Sequence, residues 1–196
     1  MKLEFQYKHL RLSLYSYLHK NEKLIELVND LLNISRIETG NKFVIQKEQV
    51  DFAKLIADQI KEEIIFASKT NIAIEIAEDL PTGIIMRLDI KKIKQVLHNL
   101  LTNVIKYSNP QGKIKIGIHR EENSTHSVVL YLSDNGISIL VDQQANIFEK
   151  FYRAENALSR QTDCNELRLY IVKSIMEDHK GKIWFNEIYK HNLKKT

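Results

Sequence analysis

Asn99 and Asn103 stand four residues apart, Lys106 follows three later, and Tyr107 comes next. On an α-helix these steps put all four side chains along one edge. An amide oxygen such as that of Asn103 is a hard ligand suited to Mg2+, which keeps waters and phosphate oxygens in its other positions. Lys106 supplies a positive charge of the kind phosphate needs, and Tyr107 a ring. Further along, Asp134 precedes Asn135 and Gly136. A carboxylate there can accept from an exocyclic amine, while the glycine leaves room for a ligand to approach. Taken singly, each feature is ordinary: polar residues on the exposed side of an amphipathic helix, an Asx-Gly turn, and a surface Arg153 beside Phe151 and Tyr152. His19, His98, His119, His126, His179 and His191 show no metal-ligand spacing.

The elements that must position these residues can be read from periodicity. Asp89 is placed to cap a helix that runs through Ile93, Val96, Leu97, Leu100, Leu101 and Val104 to about Tyr107. Phe52 to Ala67 has helical spacing, with Phe52, Leu55, Ile56, Ile60 and Ile64 on one face. Alternation predicts strands over Asn71 to Ala77, Lys113 to His119 and Ser127 to Ser133, and shorter ones over Lys42 to Gln46 and Lys182 to Asn186. Leu167 to Asp178 reads as helix, and Gly136 to Thr162 as loop with short helical pieces. This order implies an α+β fold, a two-layer α/β sandwich. Ahead of it Leu10, Leu14, Tyr17, Leu24, Val28 and Leu31 recur at steps of four and three, a heptad seam with the polar Asn21 in register and Gly40 as its stop.

Bulk composition narrows the class. With 196 residues and 43% hydrophobic content, the chain has enough for one core plus an extension. No apolar run reaches the ~18 to 20 residues of a membrane-spanning helix, so the chain as given is expected to be cytoplasmic. The single cysteine, Cys164, fits a reducing compartment. The net charge of +4 is scattered among nearly as many acids rather than gathered on one arm, and nucleic-acid binding is not expected.

Four segments, in order, resemble the sensor histidine kinase family of two-component systems. Leu24 to Gly40 (LIELVNDLLNISRIETG) is similar to the end of its second dimerisation helix, and Gln95 to Ser108 (QVLHNLLTNVIKYS) to its asparagine box. Asp134 to Ile139 (DNGISI) is similar to its first glycine box, and Ile147 to Arg153 (IFEKFYR) to its phenylalanine box. The resemblance implies the Bergerat-type ATP-binding sandwich, with residues 1–40 a remnant of the dimerisation helix and 41–196 the ATPase domain. It implies ATP and Mg2+ as cofactors. Asn103 would be the metal ligand and Asn99 its phosphate-side neighbour, with Lys106, Tyr107 and Gly136 lining the nucleotide site. Asp134 would read adenine, and Arg153 would steady the terminal phosphates. A homodimer or heterodimer through residues 10–37 is implied, as is a response regulator or partner histidine kinase.

The pattern also breaks. Where the family carries a second glycine box, this chain reads Cys164, Asn165, Glu166, Leu167, Arg168, Leu169. Such glycines let backbone amides close round phosphates at a helix start. Glu166 instead sets a carboxylate there, which Arg168 offsets only in charge. Ser138 replaces a glycine of the first box. No phosphoacceptor segment is found: His9 lies only about thirty residues before Gly40, too few for a hairpin of two long helices at ~1.5 Å per residue. Two functions remain open, a lobe that binds Mg-ATP and phosphorylates a histidine on another chain, and an inactive pseudokinase or gene fragment that acts only as a dimerisation or binding module. The seam makes its own claim: Asn21→Leu should raise dimer stability or change oligomer order, and sedimentation that shows an unaltered monomer would dispose of the seam.

Overall fold

The structure, a computed structural model, describes residues 14, 17, 21, 24–40, 43–67, 72–77, 83–121, 127–155 and 167–186. Two compact units separate, Met1–Lys42 and Phe43–Thr196. In the first, residues 24–38 form helix α1. Thr39 and Gly40 close it by donating to the Ser35 and Ile37 carbonyls, with Gly40 in the left-handed region at φ 71°. The seam residues Leu14, Tyr17, Leu24, Val28 and Leu31 are all exposed, whereas His9 and Leu10 lie outside the described residues.

The second unit runs β1 (Glu48–Asp51), α2 (Phe52–Ala67), β2 (Ala73–Ile76), β3 (Ile85–Leu88), α3 (Ile90–Tyr107), β4 (Lys113–Arg120), β5 (Val128–Asp134) and α4 (Arg168–Asp178), with a 3-10 turn at Gln144–Asn146. β1 pairs antiparallel with β3, β2 pairs parallel with β4, and β4 pairs antiparallel with β5. The parallel pair needs a long crossover, and α3 lies within it. Helices pack on strands to give an α+β layered lobe whose core joins Ile56 and Ile60 of α2, Leu97 and Leu101 of α3, and Ile114 and Ile116 of β4. On β4 the alternate Lys113 and Lys115 point to solvent, the half-buried pattern of a sheet with one covered face. Gly117 is buried beneath the Tyr131 ring across the ladder, where a Cβ would collide with that ring.

Three strand expectations need correction. The first strand starts at Glu48 rather than Lys42. The Phe43 N–H is taken by Asp178 Oδ2 (2.9 Å) and the Gln46 N–H by Asp89 Oδ2 (3.0 Å), so these amides meet carboxylates instead of a neighbouring strand. β3 was not expected at all: its four residues, Ile85–Leu88, give little alternation, and only the distant pairing with β1 holds them extended. Over Lys182 to Asn186 the alternation is present, with Ile183 and Phe185 half-buried and Trp184 exposed, yet no ladder forms there among the described residues.

Asp89 organises the start of the lobe. Its Oδ1 accepts from the Lys92 N–H at 3.0 Å, which caps α3, while its own N–H donates to His179 Nε2 at 3.2 Å. His179 in turn donates from Nδ1 to the Ile175 carbonyl at 2.9 Å, and its carbonyl accepts from Lys47 Nζ at 3.3 Å. Burial works to raise the Asp89 carboxyl, but the N–H groups of Gln46 and Lys92 and the nearby His179 and Lys92 hold it below the ordinary carboxylate value. A depressed carboxyl stabilises the fold above the unfolded pKa of ~4 and loses that contribution as pH falls through the lower folded value. Asp89→Ala should therefore cost about 1–2 kcal/mol at neutral pH, read as a lower Tm in a thermal melt, and the gap to wild type should close in acid.

Candidate nucleotide site

α3 carries the edge. Asn99 is 3% exposed, and its Nδ2 meets no hydrogen-bond acceptor. A buried amide donor without a protein partner is costly and calls for an acceptor from outside the protein, whether a water or a ligand. Asn103 lies one turn on, half-buried, and Lys106 sets its ammonium 5.1 Å from the Tyr107 ring centroid. Asn99, Asn103, Lys106 and Tyr107 therefore share one stretch of helix with a mixture of amide, cationic and aromatic groups.

The Asp134 loop is brought against the end of that stretch. The Ile137 N–H donates to the Tyr107 carbonyl at 3.2 Å, and Gly136 lies so close that a Cβ would collide with the Tyr107 carbonyl oxygen and Asp134 Oδ1. Gly136 is thus required for close approach rather than for an unusual φ. Asn135 fixes the loop from the other side: its Oδ1 accepts from the Lys113 N–H at 3.0 Å and its carbonyl from Asn109 Nδ2 at 2.7 Å. Asp134 ends β5, opposite Ile114. Protein atoms crowd its carboxyl and push it above the ordinary carboxylate value, while the Gly136 N–H, donating at 2.7 Å, pulls it partly back. Asp134 is nonetheless exposed to solvent, so its carboxylate at the strand end can accept from an amine N–H.

Arg153 belongs to a different element. It follows Phe151, exposed at φ 59°, in a loop pinned to α4 by Lys173 Nζ on Glu149 Oε1 at 3.1 Å and folded on itself by the Glu155 N–H on buried Gln143 Oε1 at 3.0 Å. A second polar link went unforeseen. Arg168 Nη1 donates to Thr102 Oγ1 at 2.7 Å, and Thr102 donates back to the His98 carbonyl at 2.7 Å. Thr102 stands three residues past Asn99 and one before Asn103, so its place on the same edge was readable from spacing. Its partner was not. Cys164, Asn165 and Glu166 lie outside the described residues.

The residues suit Mg2+ in one specific way. Among the described residues no group of three or more His, Cys, Asp or Glu side chains is placed to hold a metal. A single amide oxygen from Asn103 fits only an ion that brings its own waters and phosphate oxygens, which is the habit of Mg2+.

Residues 88–194 match the family model described as histidine kinase-, DNA gyrase B-, and HSP90-like ATPase. The sensor protein kinase WalK of Staphylococcus haemolyticus is 34% identical over 170 residues, covering 86% of this chain and 27% of WalK. The chain thus spans about a quarter of the length of that relative. Among solved structures, full-length ShkA in complex with AMPPNP superimposes with a TM-score of 0.63 at 26% identity, covering 79% of this chain and 31% of that one. The histidine kinase ThkA in complex with the response regulator TrrA gives a TM-score of 0.63 at 26% identity, covering 84% of this chain and 45% of that one. No helix among the described residues is long and apolar enough to cross a membrane. The chain belongs to the histidine kinase-, DNA gyrase B- and HSP90-like ATPase family, and it carries the ATPase domain of a sensor histidine kinase.

Proposed function

We propose that this lobe binds Mg-ATP between the asparagine edge of α3 and the Asp134 loop, and serves a cytoplasmic two-component phosphorelay by transferring phosphate to a histidine on another chain. One observation carries the reading: the Tyr107 carbonyl, the Ile137 N–H and bare Gly136 bring the end of β5, with Asp134, against the end of α3, the helix that carries both asparagines. Asp134 accepts from the adenine amine. Asn99 Nδ2, buried and without an acceptor, donates toward the phosphate side, and Lys106 adds charge there. Asn103 would hold Mg2+, which when bound neutralises charge on the phosphates. Arg153, from its loop, steadies the terminal phosphate. Residues 1–40 act as a remnant dimerisation helix, paired with a like helix of a second copy or of a partner kinase. The complex of ThkA with TrrA supports a response regulator as downstream partner, and AMPPNP in ShkA supports the nucleotide.

A second reading, an inactive pseudokinase that acts only as a dimerisation or binding module, is favoured by the loss of the second glycine box. Arg168 stands in its third glycine position and sends its side chain across to Thr102.

Thermal melting with Mg-ATP tests the site. Ligand at ~100 times its Kd should add about 2.7 kcal/mol, a shift of several degrees, and an unmoved Tm would sink the proposal. Asn103→Ala should abolish the Mg2+-dependent part of that shift. An unchanged Mg2+ response would remove Asn103 from its role. Gly136→Ala should separate the two elements: we expect a loss of about 1–3 kcal/mol from the forced contact together with a weakened ATP response, measured by denaturant unfolding and by the same melt. A variant as stable and as responsive as wild type would contradict the joint at Gly136.

A further inference from the structure

We infer that His179 is a pH-sensitive latch, which holds the entry segment 43–47 on the lobe while its ring is neutral and releases it when the ring takes a second proton. The inference stands apart from the nucleotide reading and draws on none of its site residues. The two ring nitrogens have unlike neighbours: Nδ1 lies 2.9 Å from the Ile175 carbonyl, and Nε2 lies 3.2 Å from the Asp89 nitrogen. A carbonyl only accepts and an amide N–H only donates, so Nδ1 must carry the hydrogen and Nε2 the lone pair. A second proton would set an Nε2–H against the Asp89 N–H, in a residue only 9% exposed. The entry segment is fastened to this same knot. The Gln46 N–H donates to Asp89 Oδ2 at 3.0 Å, the Phe43 N–H to Asp178 Oδ2 at 2.9 Å, and Lys47 Nζ to the His179 carbonyl at 3.3 Å. The charged groups around it are Asp89 and Lys92 at the start of α3, Lys47 on the entry segment, and Asp178 and Lys180 on either side of His179 in the chain. Of these side-chain types only histidine ordinarily changes charge between about pH 5 and 8. Once charged, the ring seeks the Asp89 carboxylate as its new acceptor and competes there with the Gln46 and Lys92 amides. The closed latch holds one proton fewer than the open one, so rising pH closes it and acid opens it.

NMR on the full chain tests this between about pH 8 and 5, with wild type and His179→Gln. Nitrogen shifts of the imidazole report which ring atom carries hydrogen, and amide exchange, scaled to the unfolded-chain rate at each pH, reports protection. The glutamine side chain keeps an acceptor and has no charge to gain. At the upper end of the range the hydrogen should sit on Nδ1. As the ring titrates, protection of the Phe43 and Gln46 amides should fall about tenfold or more, while that of Leu97 within α3 should change less than about threefold. In His179→Gln the same two amides should stay protected throughout. A hydrogen on Nε2 at high pH would overturn the latch, as would wild-type protection that does not follow the ring, or a variant that loses protection in acid as wild type does. Parallel loss at Leu97 would also overturn it, because the whole lobe would then be unfolding. Should His179→Gln fail to fold, the wild-type tautomer and the match between ring titration and amide loss decide the matter alone.

Discussion

The lobe depends on one missing side chain. Because Gly136 carries no Cβ, the turn after β5 can press its backbone against the last turn of α3 and hand the Ile137 amide to the Tyr107 carbonyl. That carbonyl is one of the orphan acceptors left at any helix end, so the contact satisfies a group that would otherwise need water. The same approach carries Asp134 to the helix that holds both asparagines. Any larger residue at 136 would push this turn away from the last turn of α3.

Polar links tie the remaining helices into position around that joint. At one end of α3, Asp89 gathers Lys92, Gln46 and His179, fastening the entry segment to the ends of two helices. In its middle, Glu63, His98, Thr102 and Arg168 form a chain from α2 across α3 to α4. Buried polar groups of this kind add little net stability when satisfied and cost much when broken. Their effect is to fix how the helices sit, and so where the asparagine edge faces.

Much of this was legible in the residues, because helices and covered strands leave a periodic mark. The 3.6 period gave α2, α3 and α4 close to their bounds, and Asp89 announced the α3 cap by type and place. Alternating isoleucines marked β4. The failures share a cause: each was settled by a partner far away in the chain. β1 begins late because carboxylates at Asp89 and Asp178 take its early amides, and β3 exists through its pairing with β1. On the site, the spacing of Asn99, Asn103, Lys106 and Tyr107 and the Asp-Asn-Gly run could be read directly. The crossing of Arg168 to Thr102, between residues 66 apart, leaves no such mark in a single sequence.

The parallel ladder of β2 with β4 has a consequence for how the chain comes off the ribosome. Ala73 pairs with Lys113, so β2 emerges well before the strand that completes it, with the whole of α3 still to be made. β4, by contrast, meets β5 through a short local connection. Contacts close in sequence form fastest, and distant ones wait on loop closure. The β4–β5 hairpin and α3 can therefore assemble promptly, while β2 passes its early life as an open edge, a template for unwanted pairing with other nascent chains. Glu75 on that strand, paired in the finished lobe with Lys113, places a charge on the edge during this interval.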